Sequence, residues 1–218
     1  MKAEMLRSEA SPLHPSTLEP IDFSDSRIAY VAERCRGKRA LDLGCVMHDP
    51  QSVNNRFFLH RAIHEVAAHT VGLDLYAPGV ENLRSLGYDV RLGDAENFSF
   101  DEKFDVIVAG DIVEHLGNLD GFLRSADAAL APWGMIIVQS PNPWYWRNVV
   151  KAVLSTEVAN NREHTCWFCP RTWRQLVERY GFTIGAIQFD ARYLKDRLTP
   201  LPRGLKYPAW SLETIRQS

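Results

Sequence analysis

No apolar run in these 218 residues approaches the ~20 that a helix needs to cross a bilayer, and the opening M-K-A-E-M-L-R-S-E-A has no apolar core of the signal-peptide kind. The expectation is a cytoplasmic chain with no membrane partner. Cysteine is scarce, with Cys35, Cys45, Cys166 and Cys169 spread along a chain that has no sign of secretion, so reduced thiols are expected rather than a disulfide framework. Cys166-Trp-Phe-Cys169 is a single C-x-x-C without a second pair, and it lacks the early strand-helix context of a redox motif. His60 and His64 stand one helical turn apart, but no third ligand lies near them in sequence, so they read as a solvent-facing pair. No metal site is expected. Charge of one sign is not in excess either, since the net charge is only -2. Residues 1–144 carry 13 Lys+Arg against 21 Asp+Glu (-8), and residues 145–218 carry 12 against 6 (+6). The basic last third is too dilute for a nucleic-acid footprint; it suits solvated helix faces, or an acidic small molecule held near them.

Several features remain. At this length one sizeable α/β domain can bury roughly 70% of its surface. Residues 1–22 contain three prolines and no sustained periodicity, so they read as a loose N-terminal arm before a single domain over 23–218. A helix opens near Asp25, with Ser26 placed to cap it, and ends near Gly37. Then R-A-L-D-L, T-V-G-L-D-L, Y-D-V-R-L, F-D-V-I-V-A and G-M-I-I-V-Q have strand character, and stretches with helical apolar spacing lie between them. P-R-T-W-R-Q-L-V-E-R-Y-G reads as a helix from Pro170 that stops before Gly181; F-T-I-G-A-I-Q and W-S-L-E-T-I-R-Q then supply two more strands. Alternation of this kind specifies a doubly wound, Rossmann-like, mostly parallel seven-stranded sheet with helices on both faces. Right-handed crossovers gather the carboxyl ends of the parallel strands at one edge, where ligands bind.

Glycine is missing at one informative place. A-L-D-L-G-C-V-M-H runs an apolar strand into Asp42 and Gly44, yet the second and third glycines that let a pyrophosphate approach the backbone are replaced by Val46 and His48. A dinucleotide is therefore disfavoured. Asp74, which ends the second strand, is acceptor-only and suits both hydroxyls of a ribose. A nucleoside cofactor without phosphates meets both conditions, and this points to S-adenosylmethionine (SAM).

Taken in order, A-L-D-L-G-C (40–45), V-G-L-D-L-Y (71–76), L-G-D-A-E (92–96), F-D-V-I-V-A-G-D-I-V-E-H-L (104–116) and M-I-I-V-Q-S-P-N (135–142) resemble the class I SAM-dependent methyltransferases over roughly residues 25–190. The resemblance implies that Asp42, Gly44 and Cys45 line the methionine and ribose side, that Asp74 takes the ribose hydroxyls and that Leu75 packs on the adenine. It further implies that Asp94 and the Ala95 backbone N–H read the adenine edge, and that Gly110 passes close to the sulfonium. The chain departs from the family at the first loop: members usually read D-x-G-x-G-x-G and reach the second-strand acid about twenty residues on, whereas Gly44 and Asp74 are thirty apart here. The extra V-M-H-D-P-Q-S-V-N-N forms a rebuilt lip in which His48 or a backbone amide replaces the usual contacts.

Methyl transfer asks a protein mainly to align donor and acceptor, and an oxygen acceptor must also lose a proton. His115 and His164 are the candidate bases, the first just past the fourth strand and the second in a substrate cover expected around residues 142–170. Each has an alternative as a structural histidine. Asn142, Tyr145 and Trp146 are the candidate acceptor contacts; Trp144, Trp167, Phe168, Trp173, Tyr193 and Trp210 add aromatic walls or an ordinary aromatic core. The expected activity is methyl transfer to an oxygen of a small molecule such as a sugar or a natural-product intermediate, with nitrogen acceptors left open. A non-catalytic module of the same fold, or a nicotinamide oxidoreductase, is the alternative. The oligomeric state is open between monomer and homodimer.

Overall fold

A computed structural model describes residues 19–47, 53–154, 161, 163–190 and 194–217. Seven strands form one sheet: β1 (Arg39–Leu43), β2 (His69–Asp74), β3 (Val90–Leu92), β4 (Phe104–Gly110), β5 (Leu130–Pro141), β6 (Phe182–Asp190) and β7 (Ala209–Arg216). Their spatial order is β3-β2-β1-β4-β5-β7-β6, with β7 antiparallel to both neighbours and all other pairs parallel. Strand order reverses between β1 and β4, which makes the carboxyl ends of these two strands the natural ligand position.

The central strands are apolar on both faces because both faces are covered. On one face Leu41, Leu43, Val71, Ile107, Ala109, Ile136 and Val138 pack with Phe122 and Leu123 of α4 (Leu119–Ala129) and Trp173 of α6 (Pro170–Val177). On the other, Ala40, Val106, Val108 and Ile137 meet Tyr30 and Val31 of α1 (Ser26–Cys35) and Ile63 of α2 (Leu59–Val66). Helix α3 (Ala77–Ser85) sends Val80 and Leu83 into a smaller cluster with Cys45, Val53, Phe58 and Val90. Gly181, at φ 77°, closes the 3₁₀ turn that follows α6, as expected from its sequence position. Among the described residues no helix is long and apolar enough to cross a membrane.

Three local expectations need correction. Asp25, not Ser26, caps α1 by accepting from the Arg27 and Ile28 N–H groups; the Ser26 hydroxyl is drawn away to Asp190 of β6 at 3.2 Å. The arm expected over 1–22 lies outside the described residues as far as 18, but its last part is packed, with Ile21 buried against Ile28 and Ala62. His60 is buried rather than solvent-facing, and only His64 of that pair is exposed.

Candidate functional site

Backbone and carboxylate hydrogen bonds stitch the carboxyl ends of β1, β2 and β3 together. The Gly44 N–H donates to the Leu73 carbonyl at 2.9 Å, and the Gly93 N–H to the Asp74 carbonyl at 3.0 Å. Asp74 accepts from the Val46 N–H at 2.8 Å and from the Tyr76 N–H at 2.9 Å, one on each carboxylate oxygen. A carboxylate offers about four lone-pair sites, so two acceptor positions remain for a pair of hydroxyls. Leu75 beside it is 67% exposed, an apolar surface open to a flat ring. Asp94 is half-buried and accepts from the Glu96 N–H at 2.8 Å, and Ala95 is buried below it. Gly44 is required twice over: its φ is +71°, and a Cβ there would sit 2.9 Å from Ile112 in the loop after β4. That close approach brings the β1 and β4 loops together.

Two expected cofactor contacts have buried side chains. Asp42 is 2% exposed and faces His60 Nδ1 at 3.0 Å; burial raises the Asp42 pKa while His60 pulls it down. Asp42 thus joins the strand end to α2. Cys45 is buried among Val53, Phe58 and Val80, its thiol pKa pushed far up by burial, so only its backbone can face a ligand. Gly110 is half-buried at the end of β4, and a Cβ at that position would lie 2.8 Å from Leu59, so packing against α2 also explains the glycine. His48 lies outside the described residues. The far end of the lip is held by the buried Arg61, which donates to the carbonyls of Val53 at 3.3 Å and Asn55 at 3.4 Å.

The loop after β4 holds a buried acid and an ion pair. Asp111 adopts φ 51°, a left-handed conformation that aspartate visits more readily than most side chains, and its carboxylate takes the Arg27 guanidinium of α1 at 2.5 Å. Burial works against the Arg27 charge, but Asp111, Asp190 and Asp25 more than offset it and raise its pKa. Glu114 is 1% exposed; the Ser140 hydroxyl donates to its Oε2 at 3.1 Å. Burial, reinforced by the charge of Asp111, pushes the Glu114 carboxyl up to about 7.

His115 and His164, read separately from the sequence, meet edge to face with ring centroids 4.8 Å apart. The segment that carries His164 is pinned to this loop: the Thr165 N–H and hydroxyl donate to the Glu114 carbonyl at 2.8 and 3.2 Å, and the Cys166 N–H does so at 3.3 Å. Burial and the neighbouring His115 lower the His164 pKa, which favours a neutral imidazole. Donor atoms of Glu114, His115 and His164 all lie within 4.8 Å of one another.

The acceptor contacts fare unevenly. Asn142 is 1% exposed; its amide donates to the Gly204 and Tyr207 carbonyls at 2.6 and 2.8 Å, and its oxygen accepts from the Trp144 N–H, which fastens this loop. Tyr145 is buried with its hydroxyl on Asp196 at 2.8 Å. Trp146 opens α5 (Trp146–Leu154) half-buried, with Arg147 over its ring and an indole N–H that has no partner among the described residues. Trp173 and Trp210 are core residues, and Tyr193 lies outside the described residues. The C-x-x-C thiols are both free; Cys166 contacts the Val113 carbonyl and Cys169 shares hydrogen bonds with Thr172 at the start of α6.

The model of the methyltransferase domain family matches residues 22–186. The chain belongs to that family. This methyltransferase domain is 27% identical to the ubiquinone biosynthesis O-methyltransferase of Brucella ovis over 55% of this chain and 53% of that protein. It is 26% identical to the protein of the same name from Bradyrhizobium diazoefficiens over 56% and 46%. The chain therefore spans about half the length of the curated relatives it matches. In fold it is similar to a SAM-dependent methyltransferase from Archaeoglobus fulgidus (TM-score 0.65, 17% identity, 88% of this chain and 92% of that one). It is similar also to the magnesium protoporphyrin IX methyltransferase of Synechocystis, solved with SAH bound (TM-score 0.61, 16% identity, 88% and 81%).

Two residues of the methyltransferase domain that shape this edge, Glu114 and Arg27, are assigned no role by sequence reasoning. Glu114 sits inside the quoted D-I-V-E-H-L, but its partners are Ser140 on β5 and Thr165, which no local pattern announces. Asp111 and Arg27 pair across 84 positions, and Arg27 looks from sequence like any helix-surface arginine.

Proposed function

We propose that this methyltransferase domain transfers the methyl group of SAM to an oxygen of a small-molecule acceptor, in the cytoplasm. The observation that carries the reading is the meeting of His115, His164 and Glu114 beside the loop that follows β4, next to the glycine turn that follows β1. The donor half fits a phosphate-free nucleoside. Asp74 keeps two acceptor sites for the ribose hydroxyls, Leu75 offers an open apolar face to the adenine, and Asp94 stands one strand over.

The acceptor hydroxyl is placed at the imidazole pair. His164 or His115 takes its proton, the oxygen forms the new bond to the methyl carbon as the carbon–sulfur bond breaks, and a neutral thioether leaves. Desolvation under the cover keeps water from competing, and the pinning of Thr165 and Cys166 to Glu114 holds that cover in place. Support for an oxygen acceptor also comes from the curated relatives, which are named O-methyltransferases. Phenols, sugars and hydroxy acids are the acceptors to try, the last because of the basic carboxyl-terminal third. The test is release of SAH from SAM over such a panel: turnover on one acceptor, lost when the two histidines are replaced, supports the reading. SAH binding with no turnover on any hydroxyl, phenol or amine would favour the non-catalytic module.

A further inference from the structure

Glu114 presents an unbalanced group. One carboxylate oxygen accepts from Ser140, while the other, Oε1, is buried and has no hydrogen-bond partner among the described residues. A buried carboxylate oxygen without a donor or a cation is costly, so its surroundings deserve a ligand. Those surroundings are two imidazoles, His115 on the same loop and His164 arriving on the cover. Ligand atoms about 2.0–2.2 Å from a tetrahedral zinc ion stand roughly 3.4 Å apart. Donors already within 4.8 Å of one another stand close to that spacing.

We propose that Glu114, His115 and His164 form a binding site for one divalent transition-metal cation, of which Zn²⁺ suits the donors best, and that its open position takes the acceptor oxygen. Two imidazoles and one carboxylate match a borderline cation, whereas Mg²⁺ and Ca²⁺ prefer oxygen-only shells. Three protein ligands with a fourth position open is the arrangement of a catalytic rather than a structural site. Asp111 stays outside the ligand set because Arg27 holds its carboxylate. No spaced motif announces the site, since its ligands combine an adjacent pair with a distant residue.

The role of the cation rests on the methyl-transfer reading; its binding does not. A hydroxyl bound to the cation loses its proton to water more readily, and the resulting alkoxide or phenolate attacks the methyl while the thioether leaves. The imidazoles then act as ligands in place of a free base. Because His164 belongs to the cover, the cation also fastens the cover to the β4 loop.

The test uses the full chain, stripped with a chelator and then titrated with Zn²⁺ or Co²⁺ alone. The expected result is one equivalent bound, with Co²⁺ giving d–d bands of low coordination number and no thiolate charge-transfer band. His164→Ala and Glu114→Gln should each weaken binding more than about 100-fold, beyond what loss of an outer partner of a ligand costs. Cys166→Ser and Cys169→Ser should leave it unchanged. Circular dichroism establishes that each variant is folded, and His164→Gln serves where the alanine variant is not. No stoichiometric binding by the folded wild-type chain overturns the proposal, as does binding retained in both His164→Ala and Glu114→Gln, or a thiolate band that disappears with Cys166→Ser. Calorimetry with SAH on the stripped protein separates the two readings. SAH binding with full turnover in chelator removes the cation and leaves methyl transfer standing; cation binding at these three residues without any SAH binding does the reverse.

Discussion

Replacing Asp74 by alanine removes a carboxylate that serves two masters. Its oxygens accept from the Val46 and Tyr76 N–H groups at 2.8 and 2.9 Å, which fixes the start of the lip and the turn into α3. Its remaining lone pairs are the ones assigned to the ribose. Loss of hydrogen bonds to a charged group costs about 1.5–3 kcal/mol, so SAH affinity should fall roughly 10- to 150-fold. The two backbone amides can turn to solvent at this half-buried position, so the accompanying loss of folding stability should be smaller, about 1 kcal/mol. Asp74→Asn makes the sharper comparison, because its amide NH₂ would confront one of the two backbone donors; it should bind SAH no better than the alanine variant. Calorimetric titration with SAH and denaturant unfolding of both variants supply the numbers. Unchanged SAH affinity in a folded Asp74→Ala protein would remove Asp74 from the site and refute the placement of the ribose.

Other outcomes follow from the same geometry. His115→Ala and His164→Ala should each lower methyl-transfer rate by roughly 10²-fold or more while SAH affinity stays nearly intact; a purely structural histidine would lower melting temperature and SAH binding together. Glu114 has its pKa raised from 4.5 to about 7 in the folded chain, so the stability it contributes is fully present below about 4.5 and is lost as pH rises through about 7. In chelator, Glu114→Gln should flatten that part of the stability-versus-pH curve, and an unchanged slope would show that another group titrates there. Trp133 is 87% exposed at φ 66°, a conformation that asparagine tolerates far better. Trp133→Asn should therefore stabilise the chain by about 1 kcal/mol in denaturant unfolding, and a clear loss of stability would mean that the indole has a packing role.

What the sequence discloses and what it hides divide along a physical line. Strand β4 is legible because F-D-V-I-V-A must be apolar on both faces of a covered sheet, and once strand order is known the crossover rule sends Asp74, Asp94 and Gly110 to one edge. The same rule makes the meeting of His115 and His164 foreseeable, since each follows the carboxyl end of a central strand. Side-chain direction is harder. Asp42 and Cys45 sit at the right strand end, yet they turn into the layer beneath, where His60 and a small apolar cluster receive them. Helical spacing alone pairs His60 with His64, and only the neighbouring strand shows that one of the two is inside. Polar residues after β5 mislead for a related reason. Asn142 and Tyr145 have the chemistry of acceptor contacts, but their partners, Gly204, Tyr207 and Asp196, come from a stretch more than fifty positions away whose fold against this loop has no local signature.

Titration of the chain with SAH in a calorimeter tests the central claim most directly. The account predicts saturable binding at a single site, displaced by SAM, weakened at least tenfold in Asp74→Ala, and matched by no comparable heat with NAD. Binding of NAD with no heat from SAH would contradict it.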